Sequence, residues 1–143
     1  MSTGRGRGLG RLDVLLGEWN MTSKKYPEGK GRLTAEWIEG GAYLRLEAGL
    51  EDPRFPATVQ IIGADDAGEE YTSLYYDSRD VRRLYQMTIA DGQWRSWRFA
   101  PGFSQRYIGH ISADGKTISG NWEFSEDGKS WRVDFDLTYT RID

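Results

Sequence analysis

The 143-residue chain contains no cysteine. Disulfides and thiolate metal sites are therefore excluded, and a reducing cytoplasm is the expected location. No apolar run is long enough for a signal peptide or a membrane span, so no membrane partner is expected. The formal charge is −3, which lacks the positive footprint of nucleic-acid binding. The locally basic opening, "MSTGRGRGLGR", reads as a flexible terminus over 1–8 and not as a binding arm. No nucleophile elbow, phosphate loop or metal-ligand cluster occurs, and no cofactor is implied.

Aromatic residues are abundant, with six Trp and eight Tyr making up most of the 13%. Such residues favour strands and tilt the chain toward an all-β fold. Its length suits one domain with one core, over 9–143. Only "LGRLDVLLG" (9–17) reads as a short helix, with Leu9, Leu12, Leu15 and Leu16 on one stripe and Gly17 as a stop. Beyond Trp19, turn signals such as "PEGK", "DSRD", "ADGQ", "ADGK" and "EDGK" separate about ten strands. These are expected near 18–24, 31–38, 42–49, 55–63, 70–77, 81–89, 93–99, 104–111, 117–124 and 130–141. The regular spacing predicts a closed antiparallel up-and-down barrel behind a short N-terminal helix.

Hairpin turns set register, and register sets which side chains face inward. Around Asp127-Gly128, pairing Phe124 with Trp131 opposes Trp122 to Val133, Gly120 to Phe135 and Ile118 to Leu137. Around Asp114-Gly115, Ile111 meets Ile118, Tyr107 meets Trp122 and Gln105 meets Phe124. Arg106 then meets Glu123 on the outer face, where Arg132 extends an ion-pair ladder. Going backward, Arg98 meets Gln105, Trp94 meets Ile89, Ser96 meets Met87 and Tyr85 meets Arg98. Tyr75 meets Arg83 and Ser73 meets Tyr85. Within "VRRLYQM" (81–87), Arg83 therefore points inward and Arg82 outward. The expected buried set is Trp19, Tyr85, Trp94, Tyr107, Trp122, Phe135 and Leu137. Arg82, Arg106, Glu123, Arg132 and Asp134 are expected to be exposed.

One end of the inner face is apolar, with Ile89, Trp94, Ile111 and Ile118. The other gathers Ser73, Tyr75, Arg83, Tyr85, Arg98 and Gln105, with Trp122, Phe124 and Trp131 across from them. By this register the later strands bring no carboxylate inward. Two inward arginines then need water or an anion, because an unpaired buried cation costs several kcal/mol (about). Arg suits a bidentate grip on a carboxylate, sulfonate or phosphate, and a tyrosine hydroxyl can complete it. Two bland readings stand beside this one: Arg83 reaches water from the rim, or Arg98 stacks on an aromatic ring.

"LGEWN" (16–20), a Gly-x-Trp opening the first strand after a short helix, resembles the calycin motif of lipocalins and fatty-acid-binding proteins. The resemblance implies that Trp19 plugs the closed end of a barrel, against an arginine from the last strand such as Arg141. The text "YYDSRDVRRLYQM…DGQWRSWRFAPGFSQR…DGKTISGNWEFSEDGKSWRVDFDLTYTR" is similar to a small bacterial lipocalin-like family of unknown function, and the similarity extends over roughly 9–141. That family usually has Gly at the position of Asp80, a left-handed turn residue that Asp tolerates. "RLY" (83–85) resembles the Arg-x-Tyr pair with which fatty-acid-binding proteins hold a carboxylate, though theirs lies on the last strand. Nitrobindin-like barrels bind haem through a late-strand histidine. The one histidine here, His110, is expected on the outer face beside Ser119 and Asp136.

Three functions remain open from the sequence. The first is a binding barrel for a small hydrophobic or aromatic molecule with an acidic group, held by Ser73, Tyr75, Arg83, Tyr85, Trp94, Arg98, Gln105, Tyr107 and Trp122. The second is an isomerase, cyclase or hydrolase in the same place, with Arg98 lowering the pKa of Tyr85 for proton transfer. Glu18, Glu36 and Glu47 are further acid candidates, although Glu36 opposite Arg45 reads as an outer pair. The third is a scaffold, such as a homodimer, using the outer aromatics Trp97, Tyr76 and Phe99.

Overall fold

The structure is a computed structural model and describes residues 9–50, 55–65 and 70–142. The terminus expected to be flexible, 1–8, lies outside the described residues. Ten antiparallel strands form a closed barrel in which each pairs with its neighbour in sequence and the last closes on the first. They are β1 (Gly17–Thr22), β2 (Gly31–Ile38), β3 (Tyr43–Leu50), β4 (Thr58–Ala64), β5 (Tyr71–Asp77), β6 (Val81–Ala90), β7 (Gln93–Arg98), β8 (Ser104–Ile111), β9 (Thr117–Ser125) and β10 (Arg132–Arg141). The alternation and the turn chemistry thus yield the expected meander. The expected N-terminal helix is a 3₁₀ helix, Gly10–Leu15. No described helix is long and apolar enough to cross a membrane.

The 3₁₀ helix closes one end. Leu9, Leu12, Leu15 and Trp19 are all buried there. The Trp19 indole donates to the Leu15 carbonyl at 2.9 Å, and the Arg141 guanidinium covers its ring at 4.1 Å. Arg141 also donates to the carbonyls of Leu16 and Val14, tying β10 to the plug. Gly17 explains the first half of the motif. Its φ is +105°, and a Cβ there would stand 3.0 Å from an Arg141 nitrogen, so a side chain would be strained and in the guanidinium's way.

A second glycine site shapes the wall. Gly109 and Gly120 face each other across β8 and β9, and a Cβ on Gly120 would fall 1.9 Å from the Ile108 carbonyl oxygen. The strands approach closely here, as at a barrel corner.

The registers across β5 to β9 are those expected, including Tyr75 with Arg83, Ser73 with Tyr85, Arg98 with Gln105 and Tyr107 with Trp122. Arg82 is exposed and paired with Asp80 at 2.8 Å, whereas Arg83 is half-buried. Asp80 adopts φ 65°, the left-handed turn conformation.

The β9–β10 hairpin differs from the expected pairing. Trp122 meets Phe135, Gly120 meets Leu137 and Ile118 meets Tyr139, with a bulge between Val133 and Phe135. The cause is the turn. Asp127 accepts from Ser125 Oγ and from the amides of Lys129 and Ser130, which widens the connection. A two-residue shift preserves facing above the bulge, so Phe135 and Leu137 still point inward. Below it the parity reverses. Val133 is 58% exposed, and Trp131 lies outside, 4.0 Å from the Arg106 guanidinium and against Phe99. The expected placement of both residues inside is therefore corrected.

The outer ladder is corrected at its far end. Arg106 bonds Glu123 at 2.6 Å, but Arg132 turns to Glu126 at 2.9 Å. Arg132 is exposed, while Arg106, Glu123 and Asp134 are half-buried. Trp131 covers Arg106, and Asp134 lies 3.9 Å from the Lys25 ammonium. Of the expected buried set, Trp19, Tyr85, Trp94, Tyr107 and Leu137 are buried. Trp122 and Phe135 are only partly so.

Candidate functional site

The end of the barrel away from the plug, here called its mouth, is the one where β1, β3, β5, β7 and β9 finish. Strands β4 to β8 line this mouth with polar groups. Ser73 is fully buried and donates to Gln60 Oε1 at 2.9 Å. Gln105 Oε1 accepts two bonds, one from the Tyr85 hydroxyl at 2.7 Å and one from Arg83 at 3.1 Å. This shared acceptor spans from β6 to β8 and fixes the Arg83 head group, whose guanidinium also lies 5.5 Å from the Phe103 ring centre.

The inner face of these strands, continued by β9 and β10, is also aromatic. Tyr75, Tyr85, Trp122, Tyr107, Trp94 and Tyr139 form a continuous chain of ring contacts from mouth to plug, with centroids 5.4–5.8 Å apart. Tyr26 of the β1–β2 loop adds to the mouth by packing on Phe55 and Phe135. Asp136 anchors that loop, accepting from Ser23 Oγ and from the amides of Lys24 and Lys25. Those bonds hold its carboxyl below the usual range, the Lys24 amide contributing most.

The structure brings all nine expected site residues to the inner face, at three depths. Ser73, Tyr75, Arg83, Tyr85, Arg98 and Gln105 cluster at the mouth. Trp122 and Tyr107 stand midway, and Trp94 is deeper. Tyr107 is occupied internally, donating to the Leu137 carbonyl at 3.2 Å. Arg98 differs from its neighbours: among the described residues no hydrogen bond or ion pair engages its half-buried side chain. Its charge acts on the nearby Tyr85.

One residue overturns an expectation. Asp77, at the end of β5, is a fully buried carboxylate. It accepts from the Tyr75 hydroxyl at 2.7 Å and from Arg79 at 2.6 Å, so the later strands do carry an inward carboxylate. Arg79 foremost, then Tyr75, hold it far below the ordinary carboxylate value despite its burial. The alternation Ser73, Tyr75, Asp77 already placed it inside. Because Arg79 and Tyr75 consume its acceptor capacity, it does not neutralise Arg98.

A lowered pKa for Tyr85 is also corrected. Burial pushes the phenol above its ordinary 10.0, and Arg83 and Arg98 offset only part of that. Glu18, Glu36 and Glu47 are exposed, with Glu36 and Arg45 3.4 Å apart as the outer pair expected. His110 is exposed opposite Ser119, and Thr138, not Asp136, is that serine's other neighbour. Among the described residues no cluster of His, Asp or Glu could hold a metal ion.

No protein-family model matches the chain, and no curated protein matches it either.

Proposed function

We propose that this barrel binds a small anionic molecule with a flat hydrophobic or aromatic body. The acidic head group lies against Arg98, with Arg83 beside it, and the body extends along Tyr85, Trp122 and Tyr107. The observation that carries this reading is the unengaged Arg98 guanidinium. Every other polar side chain of the patch has a partner within the barrel wall. A cation facing an aromatic interior without one is costly unless an anion or water meets it. We read the chain as a lipocalin-like cytoplasmic protein on the strength of the Gly17–Trp19–Arg141 plug and the lack of cysteine.

Titration calorimetry with a panel of aromatic and aliphatic acids tests the reading. Arg98→Met should weaken acid binding by about 2 kcal/mol, or roughly thirtyfold. Its unfolding midpoint should equal or exceed that of the wild type. If Arg98→Met unfolds the barrel and no acid binds either protein, the arginine is structural and the reading fails.

Proton transfer in the same site draws less support, since Tyr85 is held protonated and the glutamates face outward. Self-association has one observation in its favour: Leu74 and Leu84 are paired on β5 and β6 and exposed at 57% and 51% beside Tyr76. Sedimentation of Leu84→Lys against the wild type separates that case.

A further inference from the structure

Six large hydrophobic side chains are exposed among the described residues: Tyr43, Leu74, Tyr76, Leu84, Phe99 and Val133. Apolar side chains scattered singly over a surface are ordinary, but a contiguous set marks a contact. Five of these six gather on one outer face, and the strand register shows how. Leu74 on β5 is directly opposite Leu84 on β6 and Ile61 on β4, so the three form an aliphatic stripe across the sheet. Tyr76 lies two residues along β5 on the same side. Continuing the Gln86–Trp97 register by two residues sets Phe99 abreast of Leu84. From the other side the Tyr43 ring reaches across β4 onto Gly63, where a Cβ would stand 2.7 Å from it. Only Val133 is elsewhere, on β10, half-way round the barrel from β5.

The charges that border this face are matched within the chain. Arg82 holds Asp80 at 2.8 Å and lies against the Tyr76 ring, 5.2 Å from its centre. Arg45 holds Glu36 and Glu47, and Arg106 holds Glu123. A strongly acidic or basic partner would meet no opposing field there. A second copy brings the same matched pairs, so two such faces meet without like-charge repulsion. The dimensions agree. Four strand spacings from β3 to β7 span about 19 Å, and three rows of outward residues along β5 span about 13 Å. An outline of roughly 250 Å² supplies the apolar core of an interface, with the ion pairs as its polar rim. Beside the standard of about 800 Å² per partner it fits a reversible dimer and not an obligate one.

We propose that the outer face of β4 to β6, with Leu74 and Leu84 at its centre, is the contact between two copies of this chain related by a two-fold axis. The proposal rests on the self-association reading above and gives it a location. The stripe lies on the outer wall, so the contact leaves Arg98 and its neighbours on the inner face uncovered.

Sedimentation equilibrium over a micromolar to submillimolar series should show reversible dimerisation of the wild type. Leu74→Lys and Leu84→Lys should each weaken it roughly a hundredfold, because in an isologous contact every substitution enters twice. Both sites are exposed in the single chain, so the variants keep the fold, which circular dichroism checks. Val133→Lys should dimerise like the wild type. The chain has no cysteine, so Leu84→Cys provides a single thiol whose maleimide labelling should slow as protein concentration rises. A wild type that stays monomeric throughout overturns the proposal, and its flotation with phosphatidylcholine vesicles would assign the face to a lipid surface instead. If the wild type dimerises while both lysine variants dimerise equally well and Leu84→Cys is labelled at one rate, self-association stands and this face fails.

Discussion

Arg141 lies with its guanidinium carbon 4.1 Å from the centre of the Trp19 ring, and the same group donates to two carbonyls that end the 3₁₀ helix. One side chain thereby joins the first strand, the last strand and the plug. Arg141→Met keeps the aliphatic cover of the indole but removes the donors and the cation. It should cost about 2–3 kcal/mol in urea unfolding. Arg141→Lys should recover little, since an ammonium cannot stack and serve both carbonyls in that geometry. Full rescue by lysine would show that charge alone matters.

Asp77 gives the barrel a defined acid response. Its folded pKa lies below the ordinary 3.8, chiefly because of Arg79. The stability it contributes is thus fully present above the unfolded value and is lost as pH falls below it toward the folded value. Asp77→Asn should cost about 2 kcal/mol at neutral pH. The gap to the wild type should narrow steadily below the ordinary carboxylate value. Urea midpoints taken across that range check it, and a constant gap would refute the linkage.

Two glycines on strands should respond oppositely to the same change. Gly120→Ala drives a Cβ into the Ile108 carbonyl and should destabilise by about 3 kcal/mol. Gly49→Ala meets nothing within 4 Å and should be neutral or stabilising by roughly 0.5 kcal/mol. Thermal midpoints of the two variants decide the matter.

At alkaline pH the buried phenols should limit stability. Tyr75, Tyr85, Tyr107 and Tyr139 are all pushed above 10.0, burial being the leading cause in each. A folded value above the unfolded one means that stability is intact below 10.0 and falls as pH rises past it. Tyrosinate absorbance should therefore rise in two stages, the second coinciding with unfolding. Tyr139→Phe should move the alkaline midpoint upward. A single wave centred on the ordinary value would contradict this.

Much of the site was legible because short turns leave a hairpin little choice of register. "SRD" and Asp91-Gly92 suffice to put Arg83 inside and Arg82 outside and to line up Tyr85 with Arg98, and the "APGFS" loop adds Gln105. Asp77 was legible by the same alternation. The longer turn after β9 was not legible. Its width depends on how Asp127 distributes its acceptor bonds, and that choice reversed the facing of Trp131 and Val133.

Sequence by itself determined the number of strands, the inward stripe of β5 to β8 and the residues of the plug, all products of local periodicity and turn chemistry. Tertiary structure alone decided which inward polar groups satisfy one another. Gln105 on β8 captures Tyr85 and Arg83 on β6 because curving the sheet brings together side chains from strands that are not adjacent, whereas Arg79 captures Asp77 within the β5–β6 turn. Those pairings leave Arg98 and the Trp94 N–H unengaged. The reason is geometric: alternation along a strand tells which way a side chain points, but only the curvature of the closed barrel sets what it meets there.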